Sequence, residues 1–263
     1  MDNKKGSKSI VFIIMIIMGI AIIAVASFMI IRLYRDYQKS EQYYDSVKEE
    51  AVVVSNDSQG NEIEVPWYQL ISVDFDALQA ENDDVIGWIF FENEDISYPI
   101  LYSGDDSYYL RRSMDGSTAT AGSIFLEGEN SPDFSDYHSV IYGHNMRNLT
   151  MFGKLKYYAK DDAYYNSHQY FQICTNDFIY RYQIFAYENV SADDRVYTIP
   201  FGPTEEYTEY LAYLKSISMK DTGVEVTNEN HIITLSTCND ATAINDQRFV
   251  VQGVLVDMYE VKE

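Results

Sequence analysis

An unbroken apolar run near the N-terminus constrains this chain more than any other feature. Residues 10–31 form 22 consecutive positions without a charged side chain, and Lys4, Lys5 and Lys8 precede them. A helix of this length spans about 33 Å at 1.5 Å per residue, enough to cross the hydrocarbon core of a bilayer. The alternatives are a buried core helix and a signal peptide cleaved near residues 24–26. Because the apolar sequence continues beyond that point to its end, we predict a transmembrane helix.

The part of the chain beyond this run is strongly acidic. The whole chain has 19 Lys and Arg against 41 Asp and Glu, and residues 1–31 hold three of the bases and one of the acids, which leaves a net charge of -24 for the rest. A polyanion is repelled by phosphate, so nucleic-acid binding is excluded. A long acidic domain behind one N-terminal span usually lies outside the cell, although Arg32 and Arg35 weaken the positive-inside contrast. We therefore predict a cytoplasmic tail at residues 1–9, a single-pass anchor in the cell membrane at residues 10–31, and an extracellular domain.

Residues 32–64 are predicted to connect the anchor to that domain. From Leu33 to about Ala51 the apolar spacing is helical, so the helix would continue out of the membrane. A turn-forming cluster at residues 55–62, Ser-Asn-Asp-Ser-Gln-Gly-Asn-Glu, indicates an exposed linker. The globular domain is therefore predicted to cover residues 65–263.

This domain has the pattern of a mainly β fold. Short β-like runs alternate with turns, and about eight strands of this kind predict a closed barrel or a sandwich. Three helical segments interrupt them, at residues 74–82, 148–158 and 205–218, and Thr204 is a candidate N-cap of the third. The predicted strands cover residues 85–91, 97–102, 122–126, 139–142, 170–175, 178–189, 231–237 and 248–259.

Two cysteines are too few for a disulfide scaffold, so their role is sought in chemistry. Cys238 ends the strand-like run 232–238 and precedes a polar turn, a position at which a thiol can be exposed to substrate. A structural thiol is the ordinary interpretation of such a residue unless suitable partners accompany it. Cys174 lies within a β-like run, so we predict a buried free thiol there, with a disulfide between the two cysteines as the alternative.

A reactive thiol needs a partner, because an unperturbed pKa near 8.5 leaves only a few per cent as thiolate at neutral pH. Of the four histidines only His144 directly follows a β-like run, and the glycine before it allows a backbone kink that projects the ring outward. His138 and His168 lie in polar segments and are predicted to be solvated. His231 begins the cysteine strand, about 23 Å from its other end, and is too far away.

Arg248 is the candidate source of positive charge. It begins the strand-like run 248–253, ten residues after Cys238. Two strands joined by a loop of that length bring Arg248 near the thiol if they pair as neighbours. An arginine at the start of a strand is otherwise an ordinary solvated charge.

Three short motifs taken together resemble one known family. They are Tyr-Gly-His-Asn-Met at residues 142–146, Thr-Leu-Ser-Thr-Cys at residues 234–238 and Arg-Phe-Val-Val at residues 248–251. In this order and spacing they resemble the sortases, class B in particular, and the resemblance covers most of residues 65–259. It implies a closed barrel of about eight strands with peripheral helices, one of which precedes the cysteine strand.

The resemblance also implies a membrane-anchored cysteine transpeptidase of Gram-positive bacteria, with Cys238 as nucleophile, His144 as acid/base and Arg248 as stabiliser. Such an enzyme cleaves a C-terminal sorting signal after Thr in an exported protein, and class B resemblance favours a signal that starts with Asn-Pro or Ser/Pro-Pro. The protein is held as a thioacyl intermediate and transferred to an amine of cell-wall peptidoglycan or its precursor. The alternatives are a cysteine hydrolase with the same residues, a pilin-polymerising sortase with a Lys acceptor, and, from a different class, a non-catalytic surface-binding domain.

Four further residues are predicted to line or tune the site. Ser236 and Thr237 are adjacent on the cysteine strand, so one of them is expected to face the groove. Asp240 could tune the site, although a carboxylate beside a thiolate raises the thiol pKa. Tyr142 could line the groove, but with 24 tyrosines in the chain ordinary packing is the simpler interpretation.

The predicted chemistry needs no metal or other cofactor. The acidic pairs at residues 83–84, 105–106 and 161–162 lack the spacing of a calcium-binding loop. The catalytically active protonation state is expected to be cysteine thiolate with histidine imidazolium. If neither pKa is perturbed, about 1% of the enzyme is in this state at pH 7.5. Slow turnover with a bell-shaped pH profile is the expected result.

Overall fold

The chain folds into one long helix and a closed β-barrel. The computed structural model describes residues 3–55, 65–199, 201–238 and 246–262. Helix α1, Asn3–Ala51, includes the apolar run and continues without a break through the predicted juxtamembrane helix. The large apolar side chains from Phe12 to Ile31 are exposed, and by length and composition the helix can cross a membrane. Because this surface is exposed, the alternative of a buried core helix is excluded.

The C-terminal part of α1 packs against the barrel. Tyr44, Val47 and Ala51 are buried in the main hydrophobic core. Strand β1, Val52–Val54, follows the helix directly and pairs with β2, Ile71–Val73, in a small separate sheet. The predicted connector therefore contributes core residues to the folded domain.

Eight strands close the barrel. They are β3 Val85–Phe91, β4 Ser97–Leu101, β5 Ile124–Leu126, β6 His138–Tyr142, β7 Tyr170–Cys174, β8 Phe178–Ser191, β9 Ile232–Cys238 and β10 Gln247–Glu260. Their order around the barrel is β10-β8-β7-β3-β4-β5-β6-β9, and β9 pairs with β10 to complete the ring. The β4–β5 and β6–β9 pairs are parallel. The predicted mainly β fold, a closed barrel of about eight strands with peripheral helices, is confirmed.

Three short helices lie between the strands. Helix α2, Phe75–Glu81, falls within the predicted segment and is capped by Asp74, whose Oδ1 accepts from Ala77 N at 2.9 Å. Helices α3, Tyr157–Lys160, and α4, Tyr164–Ser167, are single turns between β6 and β7.

The predicted helix over residues 148–158 is wrong, apart from its last two residues. Leu149 and Met151 have φ of 69° and 53°, in the left-handed region that a right-handed helix cannot contain. The segment instead folds back as a tight loop in which Phe152 N donates to His144 O at 3.1 Å. Its apolar spacing therefore reflects burial of the loop beside His144.

A longer helix covers one side of the barrel. Helix α5, Glu205–Ile217, lies in the connection between β8 and β9, and Thr204 caps it by accepting a hydrogen bond from Tyr207 N at 3.3 Å. The helix packs on strand residues such as Val250 in a second hydrophobic cluster. Its buried face consists of Tyr207, Tyr210, Leu211 and Leu214. The predicted cap and the predicted apolar face are both confirmed.

Candidate active site

Three strand ends meet at one edge of the barrel. Strands β6 and β9 are parallel, so their last residues, Tyr142 and Cys238, lie at the same edge, where antiparallel β10 begins. Arg248 is the register partner of Cys238, and Tyr142 is that of Ser236. The cysteine strand and the arginine strand pair as neighbours, which is the condition under which Arg248 comes near Cys238. The barrel thus brings together three motifs that are far apart in sequence.

A cavity of about 170 Å³ opens at this edge. The residues that line it are Asp106, Leu110, Phe125, Tyr142, Gly143, His144, Ser236, Thr237 and Arg248. Five of these were predicted as site residues. Ser236 and Thr237 both contribute to the lining, although only one of them was expected to do so. Asp106, Leu110 and Phe125 were not predicted, because they come from segments with no chemical motif.

The imidazole of His144 is oriented by a backbone carbonyl. Its Nε2 donates to Leu110 O at 2.7 Å. A carbonyl oxygen can only accept, so the neutral ring carries its proton on Nε2, and Nδ1 is the basic nitrogen. Burial lowers the pKa of His144; the Leu110 carbonyl opposes this, while the charges of Arg111 and Arg248 add to it. The ring is therefore set up as a weak base with a fixed tautomer.

The glycine before this histidine is needed for space. A Cβ on Gly143 would lie 2.4 Å from Ile124 Cδ1 and 2.7 Å from Phe152 Cδ2. Gly143 is not among the glycines with positive φ, so its backbone does not use the left-handed region that favours glycine. The close approach of β6 to these two side chains fixes where His144 leaves the strand.

Arg248 is held only loosely at the cavity wall. Its side chain is 29% exposed and pairs with Asp246, with Nη1 3.3 Å from an Oδ1 that is itself highly exposed. Nη1 also donates to Gln247 O at 3.1 Å. An exposed ion pair of this kind contributes little stability. The guanidinium group can therefore exchange Asp246 for a substrate oxygen at small cost.

One tyrosine lines the cavity, and a second tyrosine contacts residues of the lining. Tyr142 packs against Phe125, with ring centroids 5.4 Å apart, so it both packs and lines the cavity. Tyr197, in a short 3-10 turn after β8, stacks on Tyr142 at 6.4 Å, and its hydroxyl lies 2.8 Å from Ser236 Oγ. Tyr197 was missed, because a single tyrosine among 24 carries no signal of its position.

A family model decides which family these features represent. The chain matches the sortase domain over residues 92–256, which is more than half of its length. The chain belongs to the sortase family. As a sortase, the protein is a cysteine transpeptidase. The cysteine at the end of β9, beside the ends of β6 and β10, agrees with this activity.

Relatives of this sortase place it in class B. Sortase B of Listeria monocytogenes is 36% identical over 179 residues, which cover 68% of this chain and 72% of the relative. The structure of sortase B from B. anthracis has a TM-score of 0.70 at 28% identity and covers 85% of this chain and 99% of that chain. A Staphylococcus aureus sortase B–substrate complex has a TM-score of 0.64 at 28% identity and covers 72% of this chain and 85% of that chain. The predicted class B membership is confirmed.

The other histidines of this sortase lie away from the cavity. His138 is fully buried, with Nδ1 2.9 Å from Thr198 O and Nε2 2.8 Å from Thr234 Oγ1, so the prediction that it is solvated is wrong. Burial lowers its pKa to about 4. His168 is half-buried and stacks on Tyr164 at 3.8 Å, so it is not simply solvated either. The contacts that bury His138 come from residues 60 and 96 positions away, which the sequence does not reveal, whereas His168 packs on Tyr164 only four residues earlier.

The cysteines of this sortase occupy different settings. Cys174 is a free, buried thiol whose pKa is raised to about 12 by burial, as predicted for a bystander. The alternative of a disulfide is therefore excluded. Cys238 is the last described residue of β9. Asp240 lies outside the described residues.

Proposed function

We propose that Cys238 is the nucleophile, His144 the acid/base and Arg248 the stabilising cation of a sorting reaction. The substrate is an exported protein whose C-terminal sorting signal is cleaved after Thr. The acceptor is an amine of cell-wall peptidoglycan or its precursor. The observation that carries this proposal is the shared edge of β6, β9 and β10, where Arg248 is the register partner of Cys238 and His144 lines the same cavity.

In the first step the Cys238 thiolate attacks the carbonyl carbon of the Thr residue, and a C–S bond forms. Collapse of the tetrahedral intermediate breaks the C–N bond. The leaving amine takes a proton from imidazolium His144, and Nδ1 is the donor because Nε2 is bound to the Leu110 carbonyl. The product of this step is a thioacyl enzyme with a neutral His144.

In the second step an acceptor amine attacks the thioester carbon. Nδ1 of His144 takes the proton that the amine loses, a C–N bond forms and the C–S bond breaks. The thiolate and the imidazolium are both restored. Water in place of the amine would give hydrolysis by the same residues.

Arg248 is proposed to hydrogen-bond the developing oxyanion or the substrate backbone. Its loose pairing with exposed Asp246 leaves the guanidinium donors exchangeable. One positioned donor at an oxyanion contributes about 3 kcal/mol to the transition state. The same cation also favours the thiolate form of a nearby cysteine.

The protonation state limits the rate. Burial lowers the pKa of His144, so its imidazolium fraction at pH 7.5 is smaller than that of an unperturbed ring. The thiolate–imidazolium form is then rarer than the roughly 1% expected without a shift. We expect slow turnover for this reason.

The proposed topology follows the long helix. Residues 1–9 form the cytoplasmic tail, residues 10–31 the single-pass anchor, and residues 32–64 the connector to a catalytic domain at residues 65–263. Packing of Tyr44, Val47 and Ala51 into the barrel core supports a domain held close to the outer membrane surface, where exported substrates emerge.

The function is tested with the full-length chain in detergent micelles. A panel of peptides with Asn-Pro-Xaa-Thr, Ser-Pro-Xaa-Thr and Pro-Pro-Xaa-Thr is incubated with and without an added amine, and products are analysed by mass. Cleavage after Thr and transfer to the amine support the proposal. Cleavage that gives the same hydrolysis product with and without the amine would instead favour a cysteine hydrolase. Transfer only to a peptide that contains lysine would favour a pilin-polymerising enzyme.

A further inference from the structure

The carbonyl group that orients His144 is backed by a glycine. A Cβ added to Gly122 would lie 2.6 Å from Leu110 O and 2.8 Å from Tyr109 O, and Gly122 has φ of +56°. Only glycine combines this backbone conformation with so close an approach. Ser123 N donates to Tyr109 O at 3.1 Å and fixes the two segments together. The position of the Leu110 carbonyl therefore depends on the backbone at Gly122.

The backbone at Gly122 is in turn bound by Tyr44 of helix α1. The Tyr44 hydroxyl oxygen lies 3.0 Å from Gly122 O and 2.8 Å from Ser123 Oγ. Ser123 Oγ donates its one hydrogen to Arg112 O at 2.7 Å, so Tyr44 is the donor in its contact with Ser123. The phenol hydrogen is then shared between Gly122 O and Ser123 Oγ, a three-centre bond. The Tyr44 hydroxyl group thus joins α1 to both Gly122 and Ser123.

The Tyr44 ring is rigidly held. It is 4% exposed and makes edge contacts with Tyr43 and Tyr98, at centroid distances of 5.2 and 5.7 Å. It is not among the residues that line the cavity. The residue lies on the same helix as the apolar run, about 20 Å beyond its end at Ile31 by helical rise. The helix that leaves the membrane is therefore tied to the segment that orients His144.

Helix α1 also contacts two neighbouring loops, although more weakly. Glu41 Oε2 accepts from Asn148 Nδ2 at 3.2 Å, in the loop that follows His144. Asp36 Oδ2 accepts from Thr120 N at 3.3 Å, just before Gly122. The Glu41 contact is exposed, and both hydrogen bonds are longer than the Tyr44–Ser123 bond. Of these three contacts, that of Tyr44 therefore holds α1 most firmly to the segments around His144 and Gly122.

We propose that Tyr44 is a positioning residue for His144, acting through Gly122 and the Leu110 carbonyl. This inference rests on the proposed acid/base role of His144. Loss of the Tyr44 hydroxyl frees the Gly122 carbonyl and allows the Leu110 carbonyl to move away from Nε2. The ring then loses its fixed acceptor and spends less time with Nδ1 directed at the reacting amine.

Two measurable consequences separate positioning from ordinary support of the fold. Because Tyr44 does not line the cavity, kcat should fall while KM stays the same. The Leu110 carbonyl raises the pKa of His144 against the effect of burial, so a weaker bond should move that pKa further down. A residue that only stabilised the barrel would change neither property in the folded enzyme.

The test compares Tyr44→Phe with Tyr165→Phe in the full-length chain. Tyr165 is a matched control, because it is also 4% exposed and donates to a backbone carbonyl, Ile184 O, at 2.9 Å. We measure kcat and KM on a cleaved sorting peptide, the unfolding temperature, and the His144 pKa by nitrogen NMR of ring-labelled histidine. Tyr44→Phe is expected to lower kcat about tenfold and to lower the His144 pKa, and Tyr165→Phe to do neither.

Equal kcat and equal His144 pKa in Tyr44→Phe and Tyr165→Phe would overturn the proposal. Ser123→Ala provides a second variant if Tyr44→Phe does not fold, because it removes one of the two acceptors of the Tyr44 hydroxyl hydrogen. The bond to Gly122 O remains, so Ser123→Ala should lower the His144 pKa by a smaller amount, and an unchanged pKa would count against the proposal. The pKa measurement does not depend on turnover. If His144→Gln keeps full activity, the proposed acid/base role fails, while an unchanged pKa in Tyr44→Phe refutes the positioning contact itself.

Discussion

Arg248 is paired directly with Cys238 where antiparallel strands β10 and β9 meet. The ladder continues from this pair to Val254 and Ile232 at the other end of β9. Because the whole ladder sets this register, a substitution of the Arg248 side chain leaves the two backbones in place. Position 248 is therefore well suited to a test of local chemistry.

Arg248→Ala is expected to lower kcat/KM about a hundredfold, because one positioned donor contributes about 3 kcal/mol at an oxyanion. Arg248→Lys keeps the charge without the planar fork and should give an intermediate loss. Arg195→Ala is the control, since Arg195 is exposed, its guanidinium group lies over the Tyr213 ring and it does not line the cavity. Steady-state kinetics on one peptide measure all three variants. Equal activity of Arg248→Ala and Arg195→Ala would refute the role of Arg248.

The acid limb of the pH profile should report His144. Burial lowers its pKa below the ordinary 6.5, so kcat/KM is expected to rise to its plateau at a lower pH than an unperturbed histidine would give. On the plateau, loss of imidazolium His144 with rising pH is offset by ionisation of Cys238. The alkaline fall begins where Cys238 is fully ionised, because further loss of imidazolium is then no longer offset. Kinetics from pH 5 to 10 measure both limbs. An acid limb above 6.5 would contradict the role of burial.

Glu188 should make the stability of the barrel depend on pH. The residue is 2% exposed, and burial raises the pKa of its carboxyl group from 4.5 to about 8, although Gln252 Nε2 donates to Oε1 at 2.7 Å. Between these two values the folded state holds a proton that the unfolded state lacks. The free energy of unfolding should therefore fall as pH rises across this window, by up to about 1.4 kcal/mol per pH unit, and level off above it.

Glu188→Gln should remove this part of the pH dependence, because the amide is uncharged throughout. Urea unfolding at several pH values between 4.5 and 8 measures the slope. Glu229→Gln, at an exposed position, is the control and should keep the wild-type slope. A wild-type slope in Glu188→Gln would show that the buried carboxyl does not hold the proton.

Gly143→Ala should damage both stability and turnover. The new methyl group would collide with Ile124 and Phe152, and overpacking of this kind costs about 1–3 kcal/mol. Relief of the collision moves the start of the His144 loop, so kcat should fall as well. Gly202→Ala is the control, because a Cβ there meets nothing within 4 Å. Thermal unfolding and kcat on the same samples measure both effects, and an unchanged kcat would show that His144 does not depend on this contact.

Local patterns predict the barrel and the three strand ends well. Short β-like runs separated by turns identify all eight barrel strands, and the loop between the runs that contain Cys238 and Arg248 is short enough for the two strands to be neighbours. The apolar face of α5 follows from helical spacing in the same way. These features depend on neighbours in sequence, so the sequence contains them.

Contacts between distant segments are what the sequence does not predict. The bond from His144 to the Leu110 carbonyl joins residues 34 positions apart, and that from Tyr44 to Gly122 joins residues 78 apart. His138 has polar neighbours in sequence yet is buried beneath α5 by tertiary packing. The loop after His144 has helical apolar spacing, but left-handed φ values at Leu149 and Met151 turn it back. Backbone carbonyls and left-handed residues leave no periodic signal.

The central claim is that Cys238 carries the cleaved protein as a thioester. The most direct measurement is the intact mass of the full-length enzyme mixed with a sorting peptide in the absence of an amine, followed by proteolytic mapping of the adduct. We predict an added mass equal to the peptide fragment that ends in Thr, located on Cys238 and released when an amine is added. An adduct that persists in Cys238→Ala, or cleavage of the peptide by Cys238→Ala at the wild-type rate, would contradict the account.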